Sequence, residues 1–204
     1  MLYVREAVMS GTLPTSPDYS GVSVTSRQPA IVSKSESGKR QARLTGGHLW
    51  LMTINYPPML RAEFSPIDAF IMLQDGEYDS FDVPYTLDNQ GTWKNSSVIA
   101  DGAVAVGATS VNVKGLAVGE TAVAGDILRY GTHNKVYKVV VGGVADGAGK
   151  LTVEVRPKII AAVADLDTVA TSDVMFHMAI KGLHEFKVGA AELYRYELDL
   201  EEAL

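Results

Sequence analysis

Four histidines, His48, His133, His177 and His184, are the first residues to test for chemistry, because imidazole is the commonest metal ligand and general base. No two stand three or four residues apart, the spacing that puts two ligands on one helix face, and the chain has no cysteine. His177 alternates outward between Phe176 and Met178, so it reads as a surface or interface histidine. His133 falls in the turn-like run Gly131, Thr132, His133, Asn134. Asp75, Glu77, Asp79 and Asp82 suggest a calcium loop, but the glycine stands second, and the twelfth position, where a bidentate Glu is needed, is Thr86. The glycine-rich stretch 142–150 suggests a phosphate loop. A P-loop ending in Gly149 and Lys150 needs glycine at 144 and a hydroxyl at 151, where this chain has Val144 and Leu151, so a β-turn is expected. No G-x-S-x-G elbow or dinucleotide fingerprint occurs. The residue types therefore predict no catalytic residue, no metal and no cofactor. Tyr130 and Tyr137, on adjacent expected strands, are the one pair that could stack on a sugar.

The elements that would carry these residues are those of a globular chain. Of 204 residues, 47% are hydrophobic and 21% charged, which sets the protein apart from disordered and fibrous classes. Lys and Arg number 18 against 24 Asp and Glu, a formal net charge of -6, the wrong sign for a protein held to nucleic acid by its phosphates. Arg5 and Glu6 interrupt the only apolar stretch at the start, so no export signal is expected, and no uncharged run reaches the about 20 residues that span a bilayer.

Three textures follow along the chain. Residues 1–47 are rich in Ser, Thr, Gly and Pro and predict irregular strands, with 34–43 a basic, exposed loop. In 49–56, Trp50, Met52, Ile54 and Tyr56 share one face and Leu49 and Leu51 the other, the pattern of a central strand covered on both sides; Pro57 and Pro58 end it. Ser65 as N-cap, Pro66 at the first position and Asp68 at the third predict a helix burying Ile67, Phe70 and Ile71, with Gly76 as its stop. Short strands separated by glycine-rich turns follow at 110–113, 126–130, 135–141 and 151–155, dense enough for a small barrel. In the last region Val174, Phe176, Met178 and Ile180 share a face, as do Tyr194, Tyr196, Leu198 and Leu200, and the two strands are expected to pair through a turn at 181–189. The resulting fold class is mainly β: a sandwich-like domain of residues 1–95 plus 173–204 with one short helix, and an inserted barrel of the oligonucleotide/oligosaccharide-binding (OB) type at 96–172.

The run 48–57, the helix after Ser65 and the segment 124–139 together resemble the distal tail proteins of long-tailed, non-contractile phages, in the branch with one inserted OB-type barrel. The positions that carry the resemblance are Trp50, Tyr56, Pro57, Ser65 and the pattern Gly125, Asp126, His133, Lys135, Val136, Tyr137, followed by Lys138 and Val139. The acidic end from Leu198 to Leu204 agrees with it. The resemblance implies a structural virion protein at the tail tip, assembled in the host cytoplasm. It implies a homo-hexameric ring that joins the tail tube protein to the baseplate hub protein, leaves a channel for DNA and offers its barrels to other tail-tip or collar proteins. A membrane and sequence-specific nucleic acid are not among the expected partners. A carbohydrate-binding adhesion module, with Tyr130 and Tyr137 as the glycan contact, is the alternative.

Overall fold

The computed structural model describes residues 9–85, 92–93, 97–189 and 192–204. In chain order the elements are β1 (Met9–Thr12), β2 (Gly21–Arg27), β3 (Ala30–Lys34), β4 (Arg40–Leu44), β5 (Leu49–Asn55), α1 (Arg61–Met72) and β6 (Ser80–Pro84). There follow β7 (Ile99–Ala100), β8 (Ser110–Lys114), β9 (Thr121–Ala122), β10 (Ile127–Tyr130), β11 (Val136–Val141), β12 (Gly143–Val144) and β13 (Lys150–Arg156). The last are β14 (Val169–Ala170), β15 (Met175–Ile180), β16 (Phe186–Val188) and β17 (Tyr194–Glu202). The protein is mainly β with a single α-helix among the described residues, and that helix is too short to cross a membrane.

Two compact units share the chain. One is built chiefly of Pro14–Ser80 and Met178–Glu202, the other chiefly of Phe81–His177. The division thus falls at 80/81 and 177/178, earlier and later than the change in glycine content suggests. The expected boundary at 95/96 lies outside the described residues, and the one at 172/173 lies inside the second unit, because Phe176 packs on Tyr85 and His177 bonds to Asp82 there.

In the first unit β17, β5 and β2 are antiparallel neighbours, Met178–Ile180 of β15 flank β17, and β16 pairs with the start of β17. The central position expected of 49–56 is the one observed. Register explains its buried face: Met52 lies between Leu200 and Val24, and Ile54 between Leu198 and Val22. The helix begins at Arg61, not after Ser65. Glu63 sits at its third position, where Oε2 accepts the Leu60 N–H at 2.9 Å, the carboxylate half of a capping box. Ser65 and Pro66 are therefore inside the helix, with Ser65 Oγ bonded to Arg61 O at 2.7 Å. Phe64, Ile67 and Ile71 form the buried stripe, and Phe64 stacks on Tyr194 at 4.8 Å. Gly76, with φ of 76°, follows the helix by four residues and shapes the turn beyond it.

The basic stretch 34–43 is exposed as expected, but only 35–39 of it is loop. β3 and β4 pair antiparallel from Ala30↔Leu44 to Lys34↔Arg40, around a turn in which Ser35 and Lys39 close a 3.0 Å backbone bond. All ten strand residues are exposed.

In the second unit six strands run in the order β14-β10-β11-β13-β8-β7, one more than the five of an OB barrel. The ends of that order meet: Val169 N–H donates to Val98 O (2.9 Å) and Ala100 N–H to Asp167 O (2.8 Å), which leaves no free sheet edge there. Leu151, Val153 and Val155 point inward and Thr152, Glu154 and Arg156 outward, as their alternation predicts. Opposite β13, Val140 is the extra residue of a β-bulge, after which the chain turns at Gly142 into the small ribbon β12-β9. Residues 142–150 close a hairpin, and Asp146 Oδ1 accepts the N–H groups of Ala148 (2.8 Å) and Lys150 (2.9 Å).

A Cβ at Gly142 would overlap the carbonyl oxygen of Ala122, whereas one at Gly147 would meet nothing within 4 Å. Gly142→Ala is expected to destabilise the barrel by about 1–3 kcal/mol through forced overpacking, and Gly147→Ala to stay within about 0.5 kcal/mol of the parent. Urea unfolding of the two variants side by side measures the contrast.

Candidate functional site

The segment singled out at 125–139 folds as the β10-β11 hairpin. Gly125 has φ of 111°, a region in which only glycine is unstrained, and its N–H donates to Val139 O at 2.9 Å. Asp126 is buried and acts as a local anchor: its carboxylate accepts the Val123 N–H (2.9 Å), the Thr92 N–H (3.1 Å) and the Thr92 hydroxyl (2.8 Å). Val136 faces Arg129 and Tyr137 faces Leu128 across the hairpin, and Lys135, Val136 and Tyr137 are wholly buried. His133 is in the turn, half-buried, with Nε2 at 2.8 Å from Tyr137 Oη. Burial pushes its imidazole below the ordinary range, with Arg129 acting in the same sense and Asp167 against it. These residues hold one another.

Tyr130 and Tyr137, expected as the glycan contact, are wholly buried and meet edge to face at 6.0 Å inside the barrel core. A sugar needs an open aromatic face, so neither ring can serve as a stacking platform. Alternating outward position also fails for His177, which is buried. Its strand is covered on both faces, and Nδ1 lies 3.2 Å from Asp82 Oδ1.

Asp82 Oδ1 also lies 3.2 Å from Arg129 Nη1, and Arg129 donates further to Met175 O and Asn134 Oδ1 at 2.9 Å each. Burial would push the Asp82 carboxyl up, but the His177 hydrogen bond and the Arg129 guanidinium together hold it below the usual carboxylate range. A hollow of about 400 Å³ lies beside this group.

In the first unit His184 bridges Asp68 of α1 (Nε2 to Oδ1, 2.8 Å) and the hydroxyl of Tyr196 (Nδ1 to Oη, 2.7 Å). Carboxylate, imidazole and hydroxyl in line is the arrangement that activates a nucleophile. Here the hydroxyl is a buried phenol whose pKa is raised by that burial and by the Asp68 charge, so it remains protonated and poorly nucleophilic. The chain of bonds instead ties the helix to the segment before β16. Tyr196 and Tyr56, stacked at 5.8 Å, also line a hollow of about 680 Å³ with Asn55, Arg195, Glu197 and Asp199.

Trp50 is buried on β5, with its N–H donated to Glu202 Oε2 at 3.0 Å, and Pro57 follows Tyr56 at the strand's end. No three His, Cys, Asp or Glu side chains converge to hold a metal among the described residues. Sequence reasoning finds the exposed basic stretch 34–43 but not its pairing as the β3-β4 ribbon, and it does not find the exposed end of α1. The signal for the first is alternation of a different kind, Ala30, Val32, Lys34 on one strand against Arg40, Ala42, Leu44 on the other.

The lowered Asp82 value implies a stabilising contribution that is complete above the ordinary value of 3.8 and is lost as pH falls through the lower folded value. Unfolding in urea at about pH 7 and about pH 2.5 is expected to show a larger acid loss for the wild type than for Asp82→Asn. A second measurement tests the Asp68, His184, Tyr196 chain: in a double-mutant cycle His184→Ala and Tyr196→Phe should be non-additive by about 0.5–3 kcal/mol. No protein-family model and no curated protein sequence matches this chain.

Proposed function

We propose that this chain is a structural virion protein that closes into a hexameric ring at the distal end of a phage tail. In this reading the ring joins the tail tube protein to the baseplate hub protein and leaves a bore for DNA, and the barrels carry other tail-tip proteins. The role is assembly and not catalysis.

The observation that carries the reading is the β3-β4 ribbon. A two-stranded hairpin is marginal in water unless it packs against something, yet all ten of its strand residues are bare. It is also basic, with Lys34, Lys39, Arg40 and Arg43 against Glu36 alone, on a chain whose net charge is -6. Such an element is completed by a partner. The strand β2 adds to the case, since among the described residues its pairing is with β5 on one edge, and an open edge of seven residues invites another chain. A closed ring of like subunits covers both features on every copy. The histidine groups that could have argued for an enzyme are tied to neighbours within the fold.

Native mass spectrometry and negative-stain images test the reading. Six copies of the 21.9 kDa chain with six-fold symmetry are the expected result. A chain that stays monomeric at every concentration and adds to no tail tube overturns it.

A further inference from the structure

Two exposed surfaces of the first unit match each other in both charge and apolarity. The β3-β4 register puts Ala30, Val32, Ala42 and Leu44 on one face of the ribbon, and the same face carries Lys34 and Arg40 at its tip, beside Lys39 in the turn. Val32 is 46% and Leu44 62% exposed, so this is an apolar face with a cationic end that no described residue covers. The other surface is the end of α1. Met72 (65% exposed), Leu73 (72%) and Tyr78 (41%) stand bare beside Asp75 and Glu77. The last helical turn contains no basic residue, so the partial negative charge of the helix C-terminus adds to the two carboxylates. Glu77 spends one lone pair on the Gly182 N–H at 2.7 Å, which fixes its side chain and leaves the other oxygen for a cation.

We propose that the ribbon of one copy docks on the exposed end of α1 in the next copy, with Lys34, Lys39 and Arg40 against Asp75 and Glu77, and Val32, Ala42 and Leu44 against Met72, Leu73 and Tyr78. The inference rests on the assembly reading and deepens it by naming both halves of one subunit contact. Because the halves are different patches of one chain, the contact is head to tail, and such contacts generate rings where the rotation closes. A face-to-face dimer would need a self-complementary patch, and a cationic ribbon repels its own copy. A face of six strand residues is small beside the about 800 Å² per partner of a stable interface, so the contact is one part of the subunit boundary.

The absence of cysteine makes the contact directly testable. A chain carrying both Ala42→Cys and Leu73→Cys, oxidised at high protein concentration, is expected to give a disulfide ladder ending at six chain lengths on a non-reducing gel, while each single variant stops at two. In the cysteine-free background, Lys39→Glu with Arg40→Glu should weaken association by about tenfold or more, as like charges meet at the contact. Asp75→Lys with Glu77→Lys should do the same, and the four changes together should restore assembly. All these positions are exposed, and circular dichroism of each variant verifies the fold. Normal rings without a ladder, or charge variants that assemble as well as the wild type, overturn this contact and leave the ring standing. A monomeric wild type without a ladder overturns both.

Discussion

The pairing of β5 with β17 is the constraint on which the first unit depends. It joins segments more than two thirds of the chain apart, with Glu197 opposite Asn55 and Glu201 opposite Leu51, and it is sealed where Trp50 donates its backbone N–H to Glu202. Until β17 arrives, Met52 and Ile54 lack Leu200 and Leu198, and Phe64 lacks Tyr194 and Tyr196. The six-stranded sheet of the second unit lies wholly between Ile99 and Ala170. Its barrel closes on itself at Val98 and Val169, and this has a consequence for the first unit: with residues 99 and 168 held together, the loop between β5 and β17 is shortened by about half, which removes about 0.6 kcal/mol of closure entropy. A barrel that folds early therefore helps its host to fold.

The polar interior follows a similar logic. His177 and His184 each reach a carboxylate about a hundred residues away, and His133 reaches the Tyr137 hydroxyl four residues on, so that side chains with catalytic potential hold pieces of backbone in place. Buried hydrogen bonds of this kind are strong because water does not compete for them, and they are costly when half made. Their geometry is directional, so they select one arrangement of loop and strand where apolar packing alone would tolerate several. The same reasoning applies to Asp126, whose two oxygens gather three donors and thereby fix the entry to β10.

What was legible in the sequence was the part governed by one-sided burial. Leu151, Val153 and Val155 announce an inward face, because water and core lie on predictable sides of their strand; 49–56 announces a central strand covered on both sides, and it is central with one face buried and the other half-buried. Position 177 was misjudged because alternation assigns one face to solvent, and β15 is covered on both. Ser65 and Pro66 form a good local cap, but burial of Phe64 against Tyr194 and capping by Glu63 start the helix five residues before it. Local propensity yields to tertiary packing there. Tyr130 and Tyr137 look like a binding face only if the inside of the barrel is mistaken for its outside. The ribbon β3-β4 is legible only in part, as irregular strand up to 33 and an exposed loop from 34, because with solvent on both faces burial does not mark where its strands end and its turn begins.

In the proposed assembly, that ribbon would let one chain specify its neighbours without a catalytic site. A surface optimised for a ligand concentrates polar groups in a concavity; a surface optimised for a copy of itself divides its complementary groups between two places. Here the cations and small apolar residues stand on a thin projecting element, and the carboxylates and larger apolar residues on the end of a helix anchored through Asp68 and His184. The division has a physical advantage. In the proposed ring neither patch would pair with its own copy, and the contact between unlike patches would become favourable when the angle between successive copies allows further contacts to form. In the proposed ring, copy number would then follow from that angle, a property of how rigidly ribbon and helix are held, and not from the strength of the contact.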